Sequence, residues 1–128
     1  MTDSITAMSI SDVAERTGLS THTLRYYERE GLMLSPVERA SSTHRRYSEA
    51  DLTWVGFLTK LRSTAMPIAV MRRYVELARQ GDATTDERRE LLLVHRMAVA
   101  RQLEEMTASL AAIDHKIGLY EKKAKANA

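Results

Sequence analysis

Apolar positions along this chain recur at helical spacing in successive blocks, each bounded by residues that start or stop helices. Ile10, Val13 and Ala14 share one face behind Ser9, a candidate N-cap, and Thr17-Gly18 ends that block with a glycine able to take the left-handed C-cap. Ser20 restarts a helix at once, with Leu24 and Tyr27 one turn apart on its apolar side and Gly31 closing it. The stretch Met33 to Tyr47 breaks the pattern. Pro36 excludes a helix around it and the small polar run Ala40-Ser41-Ser42-Thr43 marks a turn, so a two-stranded hairpin or loop is expected, the wing of a winged helix. Ser48, with Glu49 and Asp51 in the first turn, opens a third helix carrying Leu52, Trp54, Val55, Leu58 and Leu61 and ending near Ser63-Thr64. Met66-Pro67 opens a fourth, from Ile68 through Met71, Tyr74 and Val75 to Leu77, stopped by Gln80-Gly81-Asp82. Thr84-Thr85-Asp86-Glu87 reads as a capping box for the last helix, Thr84 and Glu87 satisfying each other's backbone amides.

That last helix carries a longer pattern. Leu92, Val99, Leu103, Met106, Leu110, Ile113, Ile117 and Tyr120 follow alternating steps of three and four, with Arg96 as the polar interruption. A helix of roughly 38 residues spans about 57 Å, too long to bury such a stripe against a small head. The most economical partner is the same helix of a second copy, giving a two-fold homodimer; folding back onto its own head is the alternative. Residues 1–82 are then a winged helix-turn-helix head (wing about 33–47, helices to about 80), and 83–128 a dimerisation helix with a short tail. The fold class is mainly α. Met1 to Met8, polar and aperiodic, reads as a frayed terminus.

Charge and composition sharpen this picture. The formal net charge is only +2, but Arg16 to Arg73 holds ten basic and five acidic residues, which suits a polyanion-binding head. On the second helix Thr21, His22, Arg25 and Tyr26 are left facing outward. Arg can fork onto guanine or grip phosphate, Thr can meet a base edge, and a Tyr hydroxyl can donate to phosphate. An amphipathic hairpin with a solvated polar face is the alternative at this point. Arg45 and Arg46 in the wing would lie against the phosphate backbone, as would Lys60, while Arg62 reads as an ordinary surface cation. The absence of Cys removes disulfides, thiolate metal sites and cysteine nucleophiles, and agrees with a reducing compartment. No run of about eighteen apolar residues and no charged-then-apolar leader is present, so a cytoplasmic protein with no membrane partner is expected. His95 and His115 lie far apart on one helix without Cys companions and read as ordinary helix positions, so neither metal nor cofactor is expected. No carboxylate pair, nucleophile with a base or phosphate-cradling glycine loop is visible, which argues against an enzyme.

The blocks Ile10 to Ser20, Thr23-Leu24-Arg25-Tyr26-Tyr27-Glu28-Arg29-Glu30-Gly31-Leu32 and His44-Arg45-Arg46-Tyr47-Ser48-Glu49-Ala50-Asp51-Leu52 together resemble the N-terminal signature of MerR-type transcription regulators. The similarity runs on through Arg72-Arg73-Tyr74 and Gln80-Gly81-Asp82 to Asp114-His115-Lys116-Ile117 and Tyr120-Glu121. It implies an antiparallel coiled-coil dimer seamed by Val99, Leu103, Met106, Leu110, Ile113, Ile117 and Tyr120. It also implies an inverted repeat in double-stranded promoter DNA as the target, within the long spacer between the promoter elements read by RNA polymerase, controlled by bending and untwisting that spacer. By matching positions Thr21, His22, Thr23 and Arg25 would serve the major groove and Tyr26, Arg45 and Lys60 mainly the backbone, with Arg16 and Arg46 completing the DNA-binding set. Thr43 stands where the family often has Gly in the wing. Only Lys122 to Ala128 follow the seam, which leaves no room for a large drug-binding domain; a small-molecule effector, if one acts, would need a pocket among Met71, Tyr74, Met97 and Met106. A DNA-architectural or excisionase-like winged protein without effector sensing is the other reading of the same head.

Overall fold

The structure, a computed structural model, describes residues 8–35, 38–39 and 45–128, with backbone alone at Glu38, Arg39 and Arg45. Helix α1 (Ile10–Thr17) starts where Ser9 and Asp12 form a reciprocal capping box, and ends at Gly18, whose φ of 76° is the left-handed conformation that glycine adopts without cost. Helix α2 (Thr21–Arg29) starts at Ser20, whose hydroxyl accepts from the Thr23 amide, and the chain turns out of it at Gly31 with φ 70°. Strands β1 (Glu38–Arg39) and β2 (Arg45–Arg46) pair antiparallel in the register Glu38 to Arg46 and Arg39 to Arg45. The expected wing is therefore a short hairpin; Thr43 and His44, on which its turn depends, lie outside the described residues. Helices α3 (Glu49–Ser63) and α4 (Ile68–Arg79) follow, the first with a Ser48–Asp51 capping box.

Two details depart from the sequence reading. Met8 belongs to the fold: its backbone exchanges two 2.7 Å hydrogen bonds with Tyr47 and its side chain is buried, because the residue after the wing needs a pairing partner. The capping box at Thr84 does not form. Gly81–Thr84 is instead a single 3-10 turn, in which Thr84 is buried and donates its hydroxyl to the carbonyls of Leu77 and Gly81, while Glu87 pairs with Arg73. Helix α5 (Thr85–Ala126) begins directly from that turn.

Two compact units result, Met1–Arg89 and Glu90–Ala128. The first has a core of Val13, Leu24, Tyr27, Leu32, Tyr47, Val55, Leu58, Met71 and Val75, drawn from every helix through α4. Fully burying an aliphatic side chain of this kind is worth about 2 kcal/mol, so this cluster carries the fold of the unit. The second unit is helix alone and buries no residue; Leu103, Met106, Leu110, Ile113, Ile117 and Tyr120 lie 49–69% exposed along it.

Candidate nucleic-acid interface

The first unit builds a helix-turn-helix from local signals. Ser9, Gly18 and Ser20 set where α1 stops and α2 starts, and α1 packs against both α2 and α3. With Leu24 and Tyr27 committed to the core, helical geometry leaves His22, Arg25 and Arg29 exposed and Thr21, Thr23 and Tyr26 half-buried on the outer side of α2. Thr23 also shares its hydroxyl with that of the N-cap, 3.1 Å from Ser20 Oγ, so it is partly spent on the helix start.

Glu28 of α2 and Glu30, its C-cap, are taken up in holding the unit together. Glu28 accepts from the Tyr47 hydroxyl, which joins the two sequence blocks of highest specificity, and Glu30 pairs with Arg72 of α4. Tyr27 meets Thr59 of α3 at 3.2 Å between hydroxyls, and Thr59 donates in turn to the Val55 carbonyl. The basic residues of α2 have no carboxylate partner among the described residues. Among the described residues, Arg25, Arg29, Lys60 and Arg62 have no carboxylate paired to them, whereas Arg72 and Arg73 are matched with Glu30 and Glu87. Arg16 is matched too: its guanidinium bonds Glu49 at 2.9 Å and touches the Met8 sulfur at 3.2 Å.

Tyr26 carries two of these cations on its ring. Arg62 stands over its ring at 4.9 Å and Arg29 at 5.7 Å, and the ring is tilted against that of Tyr27. Arg62 is thus brought to α2 although its sequence position reads as an ordinary surface cation. A signal for it exists: Thr59 and Arg62 are one turn apart on α3, and Thr59 faces Tyr27. Lys60 is exposed on the same helix, and Arg46 is half-buried in β2. Arg45 pairs through its backbone with Arg39.

No group of three or more His, Cys, Asp or Glu side chains among the described residues is arranged to hold a metal ion. No described helix is long and apolar enough to cross a membrane.

Comparison with known proteins agrees with this geometry. The family model described as MerR HTH family regulatory protein matches residues 8–77, from the buried Met8 to Leu77 in the last turn of α4. An HTH-type transcriptional regulator of Haemophilus influenzae is 36% identical over 109 residues, covering 85% of this chain and 80% of that protein. The Bacillus subtilis regulator AdhR is 40% identical over 85 residues, 66% of this chain and 60% of its own length. Among solved structures, a MerR family regulator from Listeria monocytogenes superposes with a TM-score of 0.82 at 33% identity, covering 89% of this chain and 86% of that one. HiNmlR, a MerR family regulator lacking the sensor domain and bound to promoter DNA, superposes at 0.80 with 33% identity and 91% coverage of both chains.

Proposed function

The chain belongs to the MerR family of helix-turn-helix regulatory proteins, DNA-binding regulators of transcription, and from that premise we propose that it binds an inverted repeat in a promoter spacer as a homodimer and controls transcription by deforming the DNA. The observation that carries this reading is the segregation of charge on α2. Glu28 and the C-cap Glu30 are bound to Tyr47 and Arg72, while among the described residues Arg25, Arg29 and the neighbouring Lys60 and Arg62 have no carboxylate partner and can meet an anion. The DNA-bound relative of the same length class, which lacks a sensor domain, supports promoter DNA as that anion.

In this reading α2 enters the major groove, where Thr21, His22 and Arg25 meet base edges, and Thr23 adds a contact beside its cap. Arg62, held over the Tyr26 ring, joins Lys60, Arg29 and the wing residues Arg45 and Arg46 on the phosphates. Arg16 reaches a phosphate by exchanging Glu49; their pair is half-exposed on both sides, and such surface pairs are worth at most about 1 kcal/mol, so the exchange costs little. The head, residues 1–82, supplies one half-site contact. Two heads are needed to make a spacer bend, since deformation costs several kcal/mol that one small contact set does not repay. The apolar stripe of α5 from Val99 to Tyr120, exposed from Leu103 on, supplies the pairing, antiparallel in the coiled coil of the dimer, and RNA polymerase meets the deformed spacer at the same promoter. The chain acts in the cytoplasm, without cofactor, and performs no catalysis.

The direct test is Arg25→Ala. Footprinting on the cognate promoter is expected to show protection lost at guanines of each half-site and affinity reduced by about 1–3 kcal/mol, with the oligomeric state unchanged. An unaltered footprint contradicts the assignment of α2 to the groove.

A further inference from the structure

The segment between recognition helix and wing is held in an unusual way. The four successive carbonyls of Gly31, Leu32, Met33 and Leu34 all accept from side chains. Arg79, in the last turn of α4, donates Nε to Leu34 at 3.1 Å and Nη2 to both Gly31, at 3.0 Å, and Met33. Trp54 of α3 donates its indole N–H to Leu32 at 2.8 Å, and its ring is stacked on that of Tyr74 in α4, 5.9 Å between centroids and 11° between planes. Immediately before this segment, Glu30 is paired with Arg72, also of α4. Arg79, Arg72 and the Tyr74 platform behind Trp54 all belong to one helix, so the place where the chain leaves α2 for the wing is copied from the position of α4.

We infer that Arg79 is a positioning residue for DNA recognition, fixing the angle between the recognition helix and the wing by gripping the connector's carbonyls. The inference rests on the DNA-binding reading above and adds to it a residue that touches no DNA. A guanidinium is suited to this task, because its planar fork of five donors can serve three acceptors in fixed directions. An ammonium on a flexible stem keeps the charge but not the directions. The carbonyls of an irregular connector otherwise turn to water, leaving the wing free to swing about Gly31. Its displacement would lift Arg45 and Arg46 from the phosphates while α2 stayed in the groove.

Arg79→Lys and Arg79→Ala in the full chain test this, with three readouts. Amide hydrogen exchange of the free proteins across Leu32–Ser35 is expected to quicken in both variants, Lys included. On a duplex bound by the wild type, hydroxyl-radical protection over the wing's phosphates is expected to fade and affinity to fall about tenfold, while guanine N7 protection by α2 persists. Persisting N7 protection also shows that the head is folded. Arg79→Lys behaving as wild type in exchange and footprint overturns the inference in favour of a plain charge effect. Loss of groove and wing protection together overturns it in favour of general destabilisation, as does faster exchange with an unchanged footprint in favour of a connector that does not steer the wing. Failure of the wild type itself to protect any duplex brings down the DNA-binding reading, and the inference with it, whereas changes confined to the variants bear on Arg79 alone.

Discussion

Tyr26 illustrates how single side chains divide the work at the candidate interface. Its position in sequence suggests a phenol pointed at phosphate, but among the described residues the contacts are made by its ring, with Arg62, Arg29 and Tyr27. Tyr26→Phe is therefore expected to keep most DNA affinity, and Tyr26→Ala to lose about tenfold as Arg62 is released, by fluorescence anisotropy on a half-site duplex. Equal losses in both variants would return the role to the hydroxyl. Residues whose partners are a few positions away were legible in the sequence: Ser9, Ser20 and Ser48 all cap the helices they were expected to cap, because a hydroxyl at an N-cap needs only the amide three residues on. Arg62, Arg79 and Met8 were not. Their partners lie tens of residues away, and a cation on a helix surface or a methionine near a terminus looks the same with or without them. Thr84 fails for another reason: its neighbours permit a capping box, but a buried hydroxyl finds the Leu77 carbonyl closer to hand.

At the scale of elements, the turns decide more than the helices. The α1–α2 and α2–wing turns each place a glycine at positive φ, which the sequence announces. The turn from α3 to α4 does the same work with Ala65, at φ 69°, where the Met66 amide returns to the Leu61 carbonyl at 3.0 Å and the Ala65 amide to Arg62. That is the left-handed helix ending usually occupied by Gly, and an alanine gives no hint of it. Ala65→Gly is expected to stabilise the chain by about 0.5–1 kcal/mol in urea unfolding, as relief of left-handed strain outweighs the added freedom of the unfolded chain. A destabilised variant would mean that the turn is unstrained. Ser48→Ala is expected to cost about 1 kcal/mol through loss of the capping box that starts α3. The same denaturation curve reads it out.

For the whole molecule, the unpartnered stripe on α5 is the feature that has no account within one chain. Its apolar side chains from Leu103 to Tyr120 remain 49–69% exposed on a helix of about 60 Å, and a patch of that extent is normally covered by another protein surface. The period of that stripe was readable because three-and-four spacing needs no tertiary context, whereas what covers it was not. Leu110→Glu is expected to place a charge in the seam and yield monomers whose heads keep their fold by circular dichroism but bind DNA poorly, since linked heads gain from effective concentration. Monomers with undiminished affinity would separate pairing from recognition.

Sedimentation equilibrium of the wild-type chain alone and with a duplex carrying its selected inverted repeat bears most directly on paired winged heads as the working unit. Two chains free in solution, and the same two per duplex, are the expected masses. A single chain in both states, or a pair that leaves the duplex to sediment alone at low ionic strength, would contradict it.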